Sequence, residues 1–166
     1  MLSVVSACRW LESTALSTGI RESIWSYPVI ESLHVLTLCV FLGLTVLMDG
    51  RLVGLVLTET PVSHVMERLL PWIRSGFAVM VVTGVLLFLA TPVRFYSNDL
   101  FRLKLLLLAA AGINVWLFHR TLYGTVREWG HGRVLPGRAR LAGAVSLLLW
   151  TAIVAAGRLV AYNWFE

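Results

Sequence analysis

The sequence predicts an all-α integral-membrane protein, a four-helix bundle with a short N-terminal interfacial helix. Of the 166 residues, 58% are hydrophobic and only 14% are charged. A water-soluble domain of this size needs more polar surface than this composition provides. Four apolar runs are long enough to cross a bilayer as helices. We therefore expect a single membrane domain over residues 1–166, surrounded by lipid.

The interfacial helix is expected over residues 3–18. Arg9 interrupts the first apolar residues, and no positive segment precedes them, so the pattern is not that of a signal peptide. An apolar stripe instead runs opposite a polar one, with Trp10 between them, as in helices that lie in the membrane surface. The apolar stripe is made of Val4, Cys8, Leu11 and Ala15.

The four spans are expected at about residues 24–49, 71–90, 101–128 and 141–162. Trp25 and Tyr27 mark headgroup depth at the start of the first span. The second span opens with Pro71-Trp72. The third is expected to continue past His119, because no residue except Gly124 would disfavour a helix before its expected end.

The flanking charges predict the orientation. The connector after the first span and the loop after the third span carry more arginines than the opposite side, which places both termini outside. The net charge of +5 comes mainly from these flanking residues, and no basic stretch is interleaved with aromatic residues. We therefore expect no nucleic-acid partner.

Two ionisable side chains lie within the first apolar run. Glu31 and His34 are one turn apart and share a helical stripe with Tyr27, Phe41 and Thr45. An ionisable group facing lipid costs several kcal/mol, so this stripe should face the interior of the bundle. Glu31 is placed to hydrogen-bond to the imidazole of His34 and to set its tautomer.

The third span offers a second histidine, His119, with Gly112 two turns away on the same face. Two imidazoles from different helices, with a glycine that leaves room for the porphyrin, are typical of a haem b held in a helix bundle. Arginines near the helix ends, among them Arg158, would neutralise the propionates. No CxxCH motif is present, which excludes covalently attached haem.

The depths of the candidate ligands leave alternatives open. Counted from the inner edge, His34 and His119 differ by roughly 6 Å, if the third helix continues to Trp129. Met80 lies closer to His119 in depth, so a His/Met pair is a second possibility. Structural hydrogen bonding between helices, or a proton, metal or solute path through Glu31 and His34, are further interpretations of the histidines.

The leading functional hypothesis is a haem b protein that transfers electrons across the membrane, with a periplasmic redox partner. The first alternative is a non-catalytic membrane anchor or scaffold subunit of a larger complex, and the second is a proton-coupled or metal transporter. Nothing in the sequence forms a nucleophile, base and orienting group, so we do not expect a stand-alone enzyme.

Several segments of the chain resemble an uncharacterised family of small four-helix bacterial inner-membrane proteins. They include WLEST, IRESIWSYPVIESLH, DGRLVG, TGVLLF, FRLK, AGIN, Phe118-His119 and Ala156-Gly157-Arg158. The resemblance covers nearly the whole chain and implies the four-helix topology and the bacterial inner membrane, but no activity. The family pattern has Asp-Leu-Arg where this chain has Asp49-Gly50-Arg51, a departure at the inner end of the first span.

Overall fold

A computed structural model describes residues 2–129 and 135–162. All regular secondary structure in these residues is helical, which confirms the predicted fold class. Seven α-helices follow one another: α1 Leu2–Glu12, α2 Ala15–Glu22, α3 Ser26–Val53, α4 Val62–Ala90, α5 Pro92–Ser97, α6 Asp99–Thr121 and α7 Gly137–Tyr162. A short 3-10 helix, Tyr123–Glu128, follows α6. Four of the helices, α3, α4, α6 and α7, are long and apolar enough to cross a membrane.

The four long helices alternate in direction along the chain. The end of the bundle that carries α5 is called the α5 end here, and the opposite end, which carries the 3-10 helix, is called the 3-10 end. Among the described residues, Cα atoms approach within 8 Å between α3 and α4, between α3 and α7, and between α6 and α7. No Cα atom of α4 or of α3 lies within 8 Å of a Cα atom of α6. The helices therefore follow the order α4, α3, α7, α6 around the bundle, and the side between α4 and α6 is the widest.

The centre of the bundle is apolar and is built by all four long helices. Phe41 of α3, Ala111 of α6, and Trp150 and Ile153 of α7 form a buried cluster, against which Ile73 of α4 packs. The rings of Phe41 and Trp150 meet edge to face, with centroids 4.8 Å apart. A larger apolar cluster closes the 3-10 end and includes Met48, Leu52, Val65, Met66 and Phe118.

The N-terminal segment folds as two helices, where one helix over 3–18 was expected. The chain breaks at Ser13 and Thr14, because both hydroxyls bond to carbonyls of the preceding turn and Thr14 caps α2 by accepting from the Ser17 amide. Such local bonds compete with a continuous helix. Both helices pack over the α5 end, where the buried Ser17 hydroxyl donates to the Ala90 carbonyl.

The bounds of the spanning helices also differ from the sequence-based expectation. Helix α4 begins at Val62, nine residues before the expected start, and includes Pro71 in its interior. Helix α6 ends at Thr121, and the chain continues as the 3-10 helix that contains Gly124. Helix α3 extends to Val53, beyond the expected end at residue 49. Residues 130–134 of the predicted basic loop lie outside the described residues.

Candidate functional site

His34 is held in one tautomer by a hydrogen bond across the α3–α4 interface. Its Nδ1 lies 2.7 Å from the Thr83 hydroxyl oxygen. The single hydrogen of that hydroxyl is donated to the carbonyl of Val79, at 2.7 Å, with the Met80 carbonyl at 3.3 Å. With the hydroxyl hydrogen directed to the Val79 carbonyl, Nδ1 of His34 is the donor to Thr83. Its Nε2 therefore carries a free lone pair, and Nε2 is the atom that can bind a metal or a proton.

Gly84 of α4 lies against the half-buried His34 ring. A Cβ added at Gly84 would lie 3.4 Å from His34 Cε1, so the glycine is what lets the ring lie against α4. Met80 of α4 is half-buried and lies one turn from Thr83 toward the 3-10 end, a displacement of about 4.5 Å along the helix. Of the other predicted ligands, Met80 is therefore the one at a depth similar to that of His34.

Lys104 of α6 faces the same region of the bundle. Its ammonium group is close enough to His34 to act on it electrostatically. Its side chain lies over α7, where a Cβ at Gly157 would meet Nζ at 3.4 Å and Cε at 3.7 Å. Lys104 Nζ makes no hydrogen bond or ion pair with any of the described residues. The interior near the α5 end thus holds an imidazole and an ammonium group, each beside a glycine of a neighbouring helix.

Glu31 occupies a different position from the one expected. Its side chain is exposed, and no hydrogen bond joins it to His34 among the described residues. It lies instead near Tyr27, whose phenol is also near Arg94 of α5. The rest of the predicted stripe is buried or half-buried, including Phe41 and Thr45. The partner of His34 is therefore Thr83 of α4, whose hydroxyl lies within hydrogen-bonding distance of the ring.

His119 has a comparable internal arrangement at the other end of α6. Its Nδ1 donates to the Val115 carbonyl at 3.0 Å, since a carbonyl can only accept. Its ring stacks on Tyr123, with centroids 4.9 Å apart and an interplanar angle of 15°. Nε2 is buried and has no hydrogen-bond partner among the described residues.

The structure does not bring His34 and His119 together. Two contacts set the level of α3 and α6 against α7: the Asp49 carbonyl lies beside Gly143, and the Asn114 amide donates to the Ala142 carbonyl. Asp49 and Asn114 are therefore at nearly the same depth. His34 lies about 22 Å from Asp49 toward the α5 end, and His119 lies about 7 Å from Asn114 toward the 3-10 end.

The two imidazoles are thus about 30 Å apart along the bundle axis. Metal–imidazole bonds are only about 2 Å long, so one iron cannot bind both rings in this arrangement. Gly112 is exposed on α6, with open space where its side chain would be, and it does not adjoin His34. Arg158 is exposed on α7, next to Gly157. In the described part of the chain, no three His, Cys, Asp or Glu side chains come together to hold a bare metal ion.

A comparison with protein-family models matches residues 8–163 to DUF6644, a family of unknown function. The chain belongs to this family. No curated protein and no solved structure matches it. The DUF6644 match covers all four spanning helices as well as His34 and His119, in agreement with the resemblance noted in the sequence.

The structure of this DUF6644 chain also contains a buried carboxyl group that is not expected from the sequence, that of Asp49. Asp49 was placed at the end of the first span, but α3 continues for another turn, so Asp49 lies within the bundle and is 6% exposed. The equally buried Ser146 of α7 is within hydrogen-bonding reach of the carboxyl group. A continued apolar pattern after Asp49, at Leu52 and Val53, is the sequence signal that could have indicated this burial.

Polar groups of the DUF6644 bundle therefore fall into two sets. His34, Thr83 and Lys104 lie toward the α5 end, and Thr45, Asp49 and Ser146 lie toward the 3-10 end. The edge-to-face pair of Phe41 and Trp150 lies between the two sets. This apolar layer separates the polar interior of one half of the membrane from that of the other.

Proposed function

We propose that this chain is a haem b protein of the bacterial inner membrane that transfers electrons between a periplasmic partner and the membrane, with His34 as an axial ligand. The observation that carries the proposal is the His34–Thr83 hydrogen bond. A metal-binding histidine usually donates its other ring N–H to an oxygen acceptor, which fixes the tautomer and orients the ring. Thr83 provides that acceptor and leaves Nε2 available.

The proposal assigns the haem to the widest side of the bundle, between α4 and α6, where no Cα atoms of the two helices come within 8 Å of each other. Gly84 and Gly157 let the His34 ring and the Lys104 side chain lie against α4 and α7. Haem iron receives four nitrogens from the porphyrin, so the protein needs to supply only one or two axial ligands.

The second axial position is assigned to Met80. It lies on the face of α4 that carries Thr83, about one turn deeper, whereas His119 is about 30 Å away along the axis. A His/Met pair on iron raises the redox potential relative to a pair of histidines. This assignment keeps the haem hypothesis and changes its ligand set.

Cationic side chains near the α5 end would pair with the propionates. Lys104 is close enough to His34 to act on it electrostatically, and Arg94 is close enough to Tyr27 to do the same. Arg158 is a third candidate for pairing with a propionate, because it directly follows Gly157, which lies against the Lys104 side chain. When bound, haem would supply one-electron chemistry, while His34, Thr83 and Lys104 would hold and orient it.

The test is the absorption spectrum of the detergent-purified protein, oxidised and then reduced with dithionite, after expression with a haem precursor. We expect a Soret band and, on reduction, resolved α and β bands. His34→Ala should lose the pigment, whereas His119→Ala should retain it. Met80→Leu should retain haem but shift its spectrum and potential.

A colourless wild-type protein would contradict the haem proposal, and so would retention of pigment in His34→Ala together with its loss in His119→Ala. His119→Ala is the matched control, because it removes an imidazole whose Nδ1 is also bonded and whose Nε2 is also free. Size-exclusion profiles of each variant establish that the bundle is folded.

A second candidate function, a membrane anchor for a larger complex, is favoured by a groove on the outer surface of the bundle. The groove runs between α3 and α4 and is almost entirely apolar. Gly76 forms part of it and allows Phe41 to pack against α4. A partner helix seated there would cross-link to a photoreactive residue placed at Leu36 or Val79. Cross-links to lipid alone would argue against this function.

A further inference from the structure

Asp49 is buried without a neutralising charge. Its side chain is 6% exposed, and its Oδ2 atom is buried and has no hydrogen-bond partner among the described residues. Ser146, across the α3–α7 interface, is its one polar side-chain neighbour within hydrogen-bonding reach in that part of the chain. Thr45, one turn earlier, cannot help, because its hydroxyl hydrogen is donated to the Phe41 carbonyl at 2.8 Å.

The cations near this end of the bundle do not compensate Asp49. Arg51 is fully buried on the same helix, but its Nε donates to the Thr60 carbonyl at 2.8 Å and its guanidinium lies near Glu59. No ion pair joins Asp49 to a cation in the described ranges. Eight further titratable side chains that the structure describes around this end are exposed or half-buried on their own elements, namely His64, Glu67, Arg68, His119, Arg120, Tyr123, Arg138 and Arg140.

Close helix packing excludes water from one side of the carboxyl group. Gly143 of α7 approaches α3 so closely that an added Cβ would lie 2.9 Å from Leu52 Cβ and 3.0 Å from the Asp49 carbonyl oxygen. An ionised carboxylate in such a place, with a single hydroxyl as partner, carries a large desolvation penalty. A neutral carboxylic acid avoids most of that cost, because only a charge carries the large desolvation penalty.

We propose that Asp49 and Ser146 form an intramembrane proton-binding site, in which the Asp49 carboxyl group holds a proton at neutral pH behind the apolar cluster that closes the 3-10 end. The ligand is the proton itself, and the Ser146 hydroxyl orients the acid. The site lies on the far side of the Phe41–Trp150 layer from His34. It does not depend on the proposed haem.

The composition of the chain allows a direct test, because it contains only two aspartates, Asp49 and Asp99. Asp99 is the matched control: its side chain is 91% exposed at the start of α6, and it forms an ion pair with Arg102 at 3.4 Å. The protein is labelled with 13C at the side-chain carboxyl carbon (Cγ) of aspartate and reconstituted in lipid nanodiscs. The 13C NMR spectrum is then recorded as a function of pH. Each aspartate then gives one carboxyl resonance.

We expect one resonance at the position of an ionised carboxylate at neutral pH and the other at the position of a carboxylic acid. Asp49→Asn should remove the acid resonance, and Asp99→Asn should remove the carboxylate resonance. Ser146→Ala should shift the acid resonance without removing it. If both resonances are those of carboxylates at neutral pH, the proposal is overturned. Since Asp99→Asn leaves the Asp49 environment intact, that variant assigns the Asp49 resonance even if Asp49→Asn does not fold.

Discussion

At the scale of single residues, the chemistry of the α5 end depends on which atom accepts the hydrogen of the Thr83 hydroxyl. Thr83 donates within its own helix and accepts from His34, so the imidazole has one tautomer and one free nitrogen. A hydrogen bond between membrane helices contributes only about 0.6 kcal/mol on average. The bond is therefore more important for orienting the ring than for holding α3 and α4 together.

Replacing Thr83 with Val should release His34 from its single tautomer. In the wild type, 15N NMR of labelled histidine at a pH where the ring is neutral should show His34 protonated at Nδ1. Thr83→Val should give a mixture of tautomers, and haem affinity should fall about 10–100-fold, as for other orienting groups of metal ligands.

Thr151→Val is the control for this substitution, because Thr151 also donates to the carbonyl four residues earlier, at 2.8 Å, but has no histidine partner. An unchanged His34 tautomer in Thr83→Val would mean that some other group fixes the ring.

At the scale of helices, α3 and α7 approach each other closely at Gly143. Gly143 makes it possible, since any larger residue would collide with both Leu52 and the backbone of Asp49. The same contact buries Asp49 and sets its level relative to Ser146. Small residues allow this kind of packing in membranes, where helices gain little from excluding lipid.

Gly143→Ala should push α3 and α7 apart and destabilise the bundle by about 1–3 kcal/mol, the usual cost of overpacking. Reversible unfolding in mixed detergent, followed by far-UV circular dichroism, measures the change. Gly112→Ala serves as the comparison, because nothing lies within 4 Å of its added Cβ and alanine favours the helix by up to about 1 kcal/mol. Equal stabilities of the two variants would show that the α3–α7 contact is looser than described.

At the scale of the whole molecule, the bundle is asymmetric. Helix α7 buries the largest share of its spanning window and α6 the smallest, so α7 is central and α6 peripheral. The N-terminal helices α1 and α2 add a layer at the α5 end, with Trp10 exposed there, while apolar side chains close the 3-10 end. An electron carrier of this design would meet a periplasmic partner at the α5 end, if the arginine-rich 3-10 end is cytoplasmic.

Cysteine labelling tests that orientation. In a background with Cys8→Ser and Cys39→Ser, single substitutions Ser97→Cys and Glu59→Cys place thiols on exposed positions at the α5 end and the 3-10 end, respectively. A membrane-impermeant maleimide should label Ser97→Cys in intact spheroplasts and Glu59→Cys only after the membrane is opened. The reverse result would show the opposite orientation, and labelling of both in intact spheroplasts would contradict the predicted topology.

The sequence was sufficient to predict the class of protein and its four spanning helices, because length and hydropathy are properties of each segment by itself. It could not determine which polar groups meet. The bond from His34 to Thr83, the distance of about 30 Å between the two histidines and the burial of Asp49 depend on helix register and on close approach at Gly84 and Gly143. Register is set by side-chain packing between helices far apart in the sequence, so it is fixed only in the folded bundle.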